Sequence, residues 1–204
     1  MKKRVILVIG RNDTISKCLK KHIHLRNYDD INFSKNIIWK FYGDSSIDFL
    51  DYEGLLDILD ENNLNNLTII NIDKFEEKID CDSNELLMFE KNNKFNLSLL
   101  NACVELKITN YINIVPKEVK DLSIKPKKTI DNYTNISNGL LYSKLITCMY
   151  TSILNNFSQK FNYTNIYTSK LIGEYIYLTE RNTVYEILII LDKSDKNMVV
   201  TLPY

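Results

Sequence analysis

Glycine is scarce in this sequence, with five in 204 residues, and only Gly10 follows the first strand-like run, Val5-Ile6-Leu7-Val8-Ile9. A turn that holds a dinucleotide pyrophosphate reads G-x-G-x-x-G, because the phosphate must approach bare backbone at a helix N-terminus. The turn here reads Gly10-Arg11-Asn12-Asp13-Thr14-Ile15-Ser16. Arg11 puts a long side chain into the turn, and Asp13 sets a carboxylate where a phosphate would otherwise sit. Two like charges about 5 Å apart repel by roughly 0.8 kcal/mol in water and about 3 kcal/mol at the effective dielectric of a protein surface. Asn12 or Asp13 caps the following helix, and the glycine cradle is lost.

Other absences narrow the field further. Charge of one sign is not in excess: 26 basic residues face 26 acidic ones, so no global attraction draws the chain to nucleic acid or anionic lipid. The basic runs Lys2-Lys3-Arg4 and Lys125 to Lys128 are short and read as solvated surface. No stretch approaches the roughly 18 apolar residues of a membrane span. Met1-Lys2-Lys3-Arg4 leads into a strand-length run rather than a signal peptide, so a cytoplasmic location is expected. The four cysteines, Cys18, Cys81, Cys103 and Cys148, have no C-x-x-C spacing and read as reduced thiols, three of them on apolar helical faces. His22 and His24 fall on different faces of a helix, with no cysteine or acidic cluster to complete a ligand set, so no metal is expected. Ala102 is the only alanine, while Lys, Asn, Ile and Tyr abound, a composition typical of an AT-rich genome.

What is present is an alternation of short apolar runs with longer amphipathic stretches, at 45% hydrophobic content. That pattern predicts an α/β fold, a doubly wound and mostly parallel sheet with helices on both faces, Rossmann-like, in a single domain over 1–204. Strands are expected near 4–10, 36–42, 67–72, 110–115, 164–168 and 197–202, with helices at 14–26, 52–62, 84–107, 137–160 and 182–191. Leu141, Leu145, Cys148, Met149 and Ser152 are taken as the inward stripe of the fourth helix, and Leu99, Leu100, Cys103 and Val104 as that of the third. Residues 116–136 read as the longest loop. The aromatics Tyr150, Phe157, Phe161, Tyr163 and Tyr167 read as packing around a helix–strand junction rather than a base-stacking platform.

Several segments, in collinear order, resemble the extended short-chain dehydrogenase/reductases (the NAD-dependent epimerase/dehydratase family), and within them the GDP-L-fucose synthase group. They are Ile6-Leu7-Val8-Ile9-Gly10, Ile47-Asp48-Phe49-Leu50-Asp51, Lys91-Asn92 with Leu99 to Glu105, Gly139-Leu140-Leu141-Tyr142-Ser143-Lys144, and Thr164 to Gly173. The resemblance implies an NADP(H)-dependent enzyme of nucleotide-sugar metabolism, with cofactor contacts at Gly10, Arg11, Asp48 and Lys144. It also implies pairing of the helices over 84–107 and 137–160 across a dimer axis. The resemblance would set Asp48 and Asp51 on an adenine or ribose, but acidic residues that open a helix read more readily as first-turn caps.

The catalytic positions depart from the family pattern. The family's tyrosine stands four residues, one helical turn, before its lysine, so that both groups face the cofactor. Lys144 is retained here, but the tyrosine position holds Leu140, and Tyr142 lies about 200° around the helix from Lys144. The Ser-Ser/Thr pair corresponds to Pro116 and Lys117, the acid/base cysteine to Glu118, and the histidine to Tyr175. Lys144 is accordingly expected at the surface rather than on a ribose. A family carboxyl-terminal lobe that binds the sugar nucleotide is expected to be largely absent.

These departures predict a degenerate domain without catalysis or cofactor, serving as a binding, regulatory or structural subunit, a homodimer or partner-bound through the two long helices. No nucleic acid or membrane is expected as a partner. Two alternatives stay open. One is a divergent but active NADP-dependent nucleotide-sugar epimerase/reductase, and the other an unrelated α/β ligand-binding module.

Overall fold

The computed structural model describes residues 4–10, 19–20, 37–42, 52–62, 66–72, 85–116, 119–120, 138–157, 160–168 and 200–201. Among them are six strands: β1 (Arg4–Ile9), β2 (Ile37–Tyr42), β3 (Leu67–Asn71), β4 (Asn110–Pro116), β5 (Asn162–Thr168) and β6 (Val200–Thr201). Three long helices connect them: α1 (Tyr52–Asp60), α2 (Glu85–Glu105) and α3 (Asn138–Phe157). The strands form one sheet in the order β2-β1-β3-β4-β5-β6, every neighbouring pair parallel.

β1, β3 and β4 are near-continuous apolar runs because both faces of a parallel sheet are covered, and β3 is buried along its whole length. The chain steps one way from β1 to β2, then crosses back over β1 to β3 and continues in that direction. Right-handed crossovers therefore place α1, α2 and α3 on one face, and Leu19, from between β1 and β2, packs on the other. The first face buries Leu7, Ile69 and Tyr111 against Leu59 of α1 and Phe95, Leu99 and Cys103 of α2. The opposite face buries Ile6, Val8, Ile70, Ile112 and Ile166 with Leu19.

Local chemistry fixes the end of α2. Lys107 takes a left-handed conformation (φ 57°), the Ile108 amide donates to the Cys103 carbonyl at 2.8 Å and the Lys107 amide to Val104 at 3.1 Å. This pair of reversed bonds is the Schellman closure, with buried Ile108 packed in the same cluster as Cys103. It turns the chain directly into β4.

The predicted elements that fall on described residues recur with ends shifted by a few residues, and β5 begins earlier than expected, at Asn162. The Asn162 amide donates to Thr109 at 2.7 Å, and Asn155 clamps both backbone groups of Tyr163. The loop expected over 116–136 is corrected at two places: Pro116 closes β4, and residues 119–120 are helical with Val119 buried. The expected helix over 14–26 is seen only at 19–20, and that over 182–191 lies outside the described residues.

The inward stripe of α3 also differs from expectation. Leu141 and Cys148 face inward, but Met149 is 59% exposed and Ser152 is exposed. The buried face instead carries Ser143, Lys144, Thr147 and Thr151. Thr147 donates its hydroxyl hydrogen to the Ser143 carbonyl and Thr151 to the Cys148 carbonyl, so hydroxyls satisfied within the helix occupy the interior and conceal the buried side from an apolar count. On α2, Leu99, Leu100 and Cys103 are buried as expected, with Val104 half-buried.

Candidate functional site at the carboxyl ends of the strands

In an open parallel sheet the ligand crevice lies beyond the carboxyl ends of the strands where the winding direction reverses, here between β1 and β3. Gly10 ends β1 at that point and is buried. Its amide donates to the Tyr42 carbonyl at 2.9 Å, and the Ile72 amide donates to the Ile9 carbonyl at 2.8 Å. Both bonds extend the ladder past the strands, so the Gly10 N–H is spent inside the sheet. Arg11, Asp13, Asp48, Asp51, His22 and His24 lie outside the described residues.

A second group of side chains gathers beneath the ends of β4 and β5. Val115 and Tyr167 are register partners there and pack with Val119, Leu141 and Cys148. The expectation of a surface Lys144 is overturned: it is 1% exposed. The cause is its place on α3, one turn after Leu141 and one before Cys148, both of which face the sheet. Tyr142, about 200° away around the helix, is half-buried.

Burial raises the Cys148 thiol to about 11, and a hydrogen bond from Tyr167 and the charge of Lys144 pull it partly back. Burial is also the first cause that pushes the Tyr167 phenol well above its ordinary value, followed by Cys148. At neutral pH both are uncharged: a thiol that is no nucleophile and a phenol that holds its proton.

The positions that the family resemblance singles out are distributed as follows. Position 140 is in the first turn of α3, one turn ahead of Lys144, and carries leucine. Pro116 ends β4 in register with Thr168 of β5. Lys117, Glu118 and Tyr175 lie outside the described residues. Of the pair that the family sets beside a nicotinamide ribose, position 140 carries leucine in place of the phenol, and the Lys144 side chain is buried.

Unforeseen in the sequence is a polar row through the interior. Asn71, Asn113 and Asn165 are register partners on three adjacent strands and share the face covered by α2 and α3. Asn71 donates to Asn96 Oδ1 at 2.7 Å and to the Tyr111 hydroxyl at 2.8 Å. Asn113 donates to Asn165 Oδ1 at 3.1 Å, and Asn165 to Thr151 Oγ1 at 3.0 Å. One signal was there to find: an Asn-Ile pair recurs at 71–72, 113–114 and 165–166, at the end of β3 and midway along β4 and β5. Asparagine is depleted in strands, so its recurrence at matched positions marks a buried partner set.

The aromatic series is packed as expected at Phe161 and Tyr163, whose rings lie 5.1 Å apart, with Tyr163 5.3 Å from Tyr111. Phe157 is the correction, at 87% exposed. Cys103 and Cys148 are free, buried thiols. Among the described residues no group of His, Cys, Asp or Glu is arranged to hold a metal, and no helix is long and apolar enough to cross a membrane.

No protein-family model matches the chain, and no curated protein matches it significantly. Solved structures do. A GDP-L-fucose synthetase from Naegleria fowleri superposes with a TM-score of 0.70 at 13% identity, over 99% of this chain and 77% of that one. Its NADP-bound form gives 0.63 at 17% identity, over 86% and 52%. A dTDP-4-dehydrorhamnose reductase from Clostridium acetobutylicum gives 0.65 at 15% identity, over 97% and 72%. At these identities the likeness shows the fold, a Rossmann-like α/β arrangement similar to that of these nucleotide-sugar enzymes.

Proposed function

We propose that this chain is a degenerate domain of the GDP-L-fucose-synthase type that has lost catalysis and NADP(H) binding and serves as a binding or structural subunit. The observation that carries this reading is the state of one helical turn: leucine at position 140 and a buried Lys144. A hydrocarbon cannot protonate a substrate oxygen, and a covered amine reaches no ribose. A fold persists without its chemistry when its surfaces remain useful.

In this reading the useful surface is the outward side of the two long helices. Met149, Ile153 and Phe157 recur every four residues on α3, exposed by 59%, 46% and 87%, and Leu86 on α2 is 66% exposed. A second copy of the chain or a partner protein covers them, in the cytoplasm, where Cys103 and Cys148 stay reduced. Neither nucleic acid nor membrane is a partner.

Calorimetric titration with NADPH tests the loss of cofactor binding. The reading requires no saturable heat up to millimolar cofactor. Saturation at micromolar NADPH would instead support an active, divergent epimerase/reductase, a reading favoured only by the retention of Lys144.

A further inference from the structure

We propose that the interior between β4 and α3 holds one bound water molecule, bridging the Tyr111 hydroxyl to Asn113 Oδ1. The hydrogens along the buried polar row are each accounted for by a donor and an acceptor, except at Tyr111 and Asn113. At its far end the Thr151 hydroxyl gives its hydrogen to the Cys148 carbonyl at 2.9 Å and can therefore only accept from Asn165, which donates to it at 3.0 Å. Asn165 must then offer its oxygen to Asn113, which donates at 3.1 Å. The polarity of the row is fixed by that terminal hydroxyl: turning the Asn113 amide over would bring two carbonyl oxygens face to face.

Asn113 is left with its own oxygen as an acceptor, fully buried and without a protein donor. Its register neighbour Asn71 cannot supply one, because that amide already donates to both Asn96 and Tyr111. Tyr111, two residues before Asn113 and on the same face of β4, accepts from Asn71 and keeps its hydroxyl hydrogen. Tyr111 and Asn113, both fully buried, thus bring an unspent donor and an unspent acceptor to the same face of β4. Buried polar groups in this position are completed by solvent, which donates and accepts at once.

Two measurements test the site. Oxygen-17 magnetic relaxation dispersion counts water held longer than the protein tumbles. Tyr111→Phe, which removes the donor and leaves Asn71 its bond to Asn96, should show one long-lived water fewer than the parent protein. Tyr163→Phe, whose hydroxyl serves the Ile108 carbonyl outside the row, should show the same number as the parent. An unchanged count in Tyr111→Phe overturns the proposal. A high-resolution crystal structure of the parent protein decides the matter independently of either variant: a peak about 2.7–3.2 Å from both atoms supports the site. A dry interior, or a direct Tyr111–Asn113 hydrogen bond, contradicts it.

Discussion

Tyr167 donates its phenolic hydrogen to the Cys148 thiol where β5 meets α3, with Lys144 one turn earlier on the same side of the helix. Three groups that carry chemistry at a surface are here turned inward and used for packing. Burial outweighs both polar neighbours, and the thiol stays protonated through the physiological range.

Alkaline pH should therefore destabilise the fold. The thiol of Cys148 is raised from 9.0 to about 11, so the neutral form is favoured in the folded state. Its contribution is complete below pH 9.0, declines as the unfolded chain alone loses its proton, and is gone once the pH passes about 11. Two units correspond to on the order of 3 kcal/mol. Burial raises the Tyr111 and Tyr163 phenols from 10.0, which acts in the same direction. Urea unfolding midpoints at about pH 8 and about pH 10.5 check this, and equal midpoints would refute it.

Asn71→Ala should cost about 2–4 kcal/mol, because it strips the donor from both Asn96 and Tyr111 inside the core. The half-buried Asn110, whose side chain donates to the neighbouring Thr109 hydroxyl in an exposed bond, provides the comparison, and its replacement by alanine should change stability by less than about 0.5 kcal/mol. Chemical denaturation of the two variants separates an interior network from incidental surface bonds.

Lys107→Gly should stabilise the protein by about 0.5–1 kcal/mol, since a side chain is held at φ 57° in the Schellman closure of α2. The thermal midpoint should rise by a few degrees. A fall would mean that the Lys107 side chain, rather than the backbone turn, is what matters there.

Ile153→Glu with Phe157→Glu should abolish self-association while leaving the monomer folded, because both side chains point away from the core. Sedimentation equilibrium of parent and variant gives the answer. A parent that is monomeric at all concentrations would rule out a second copy as the occupant of this face.

Much of the fold was legible in the sequence because parallel strands buried on both faces produce near-continuous apolar runs such as Val5 to Ile9 and Leu67 to Ile70, the latter broken only by Thr68. The buried side of α3 was not, because Ser143, Lys144, Thr147 and Thr151 count as polar in any pattern. Their satisfaction inside the helix, or against Asn165, is a tertiary fact. At the site the substitution of leucine at 140 could be read directly, while the burial of Lys144 required the packing of α3 on β4 and β5. The asparagine row fell between these cases: its members are visible in sequence, but only parallel register makes 71, 113 and 165 neighbours.

The most direct test is a crystal structure of the unmodified chain grown with millimolar NADPH. The account predicts Lys144 enclosed between α3 and the sheet, as in the structure described above, with no nicotinamide beyond the ends of β1 and β3. NADP(H) lodged in that crevice with its ribose hydroxyls on the Lys144 Nζ would contradict it.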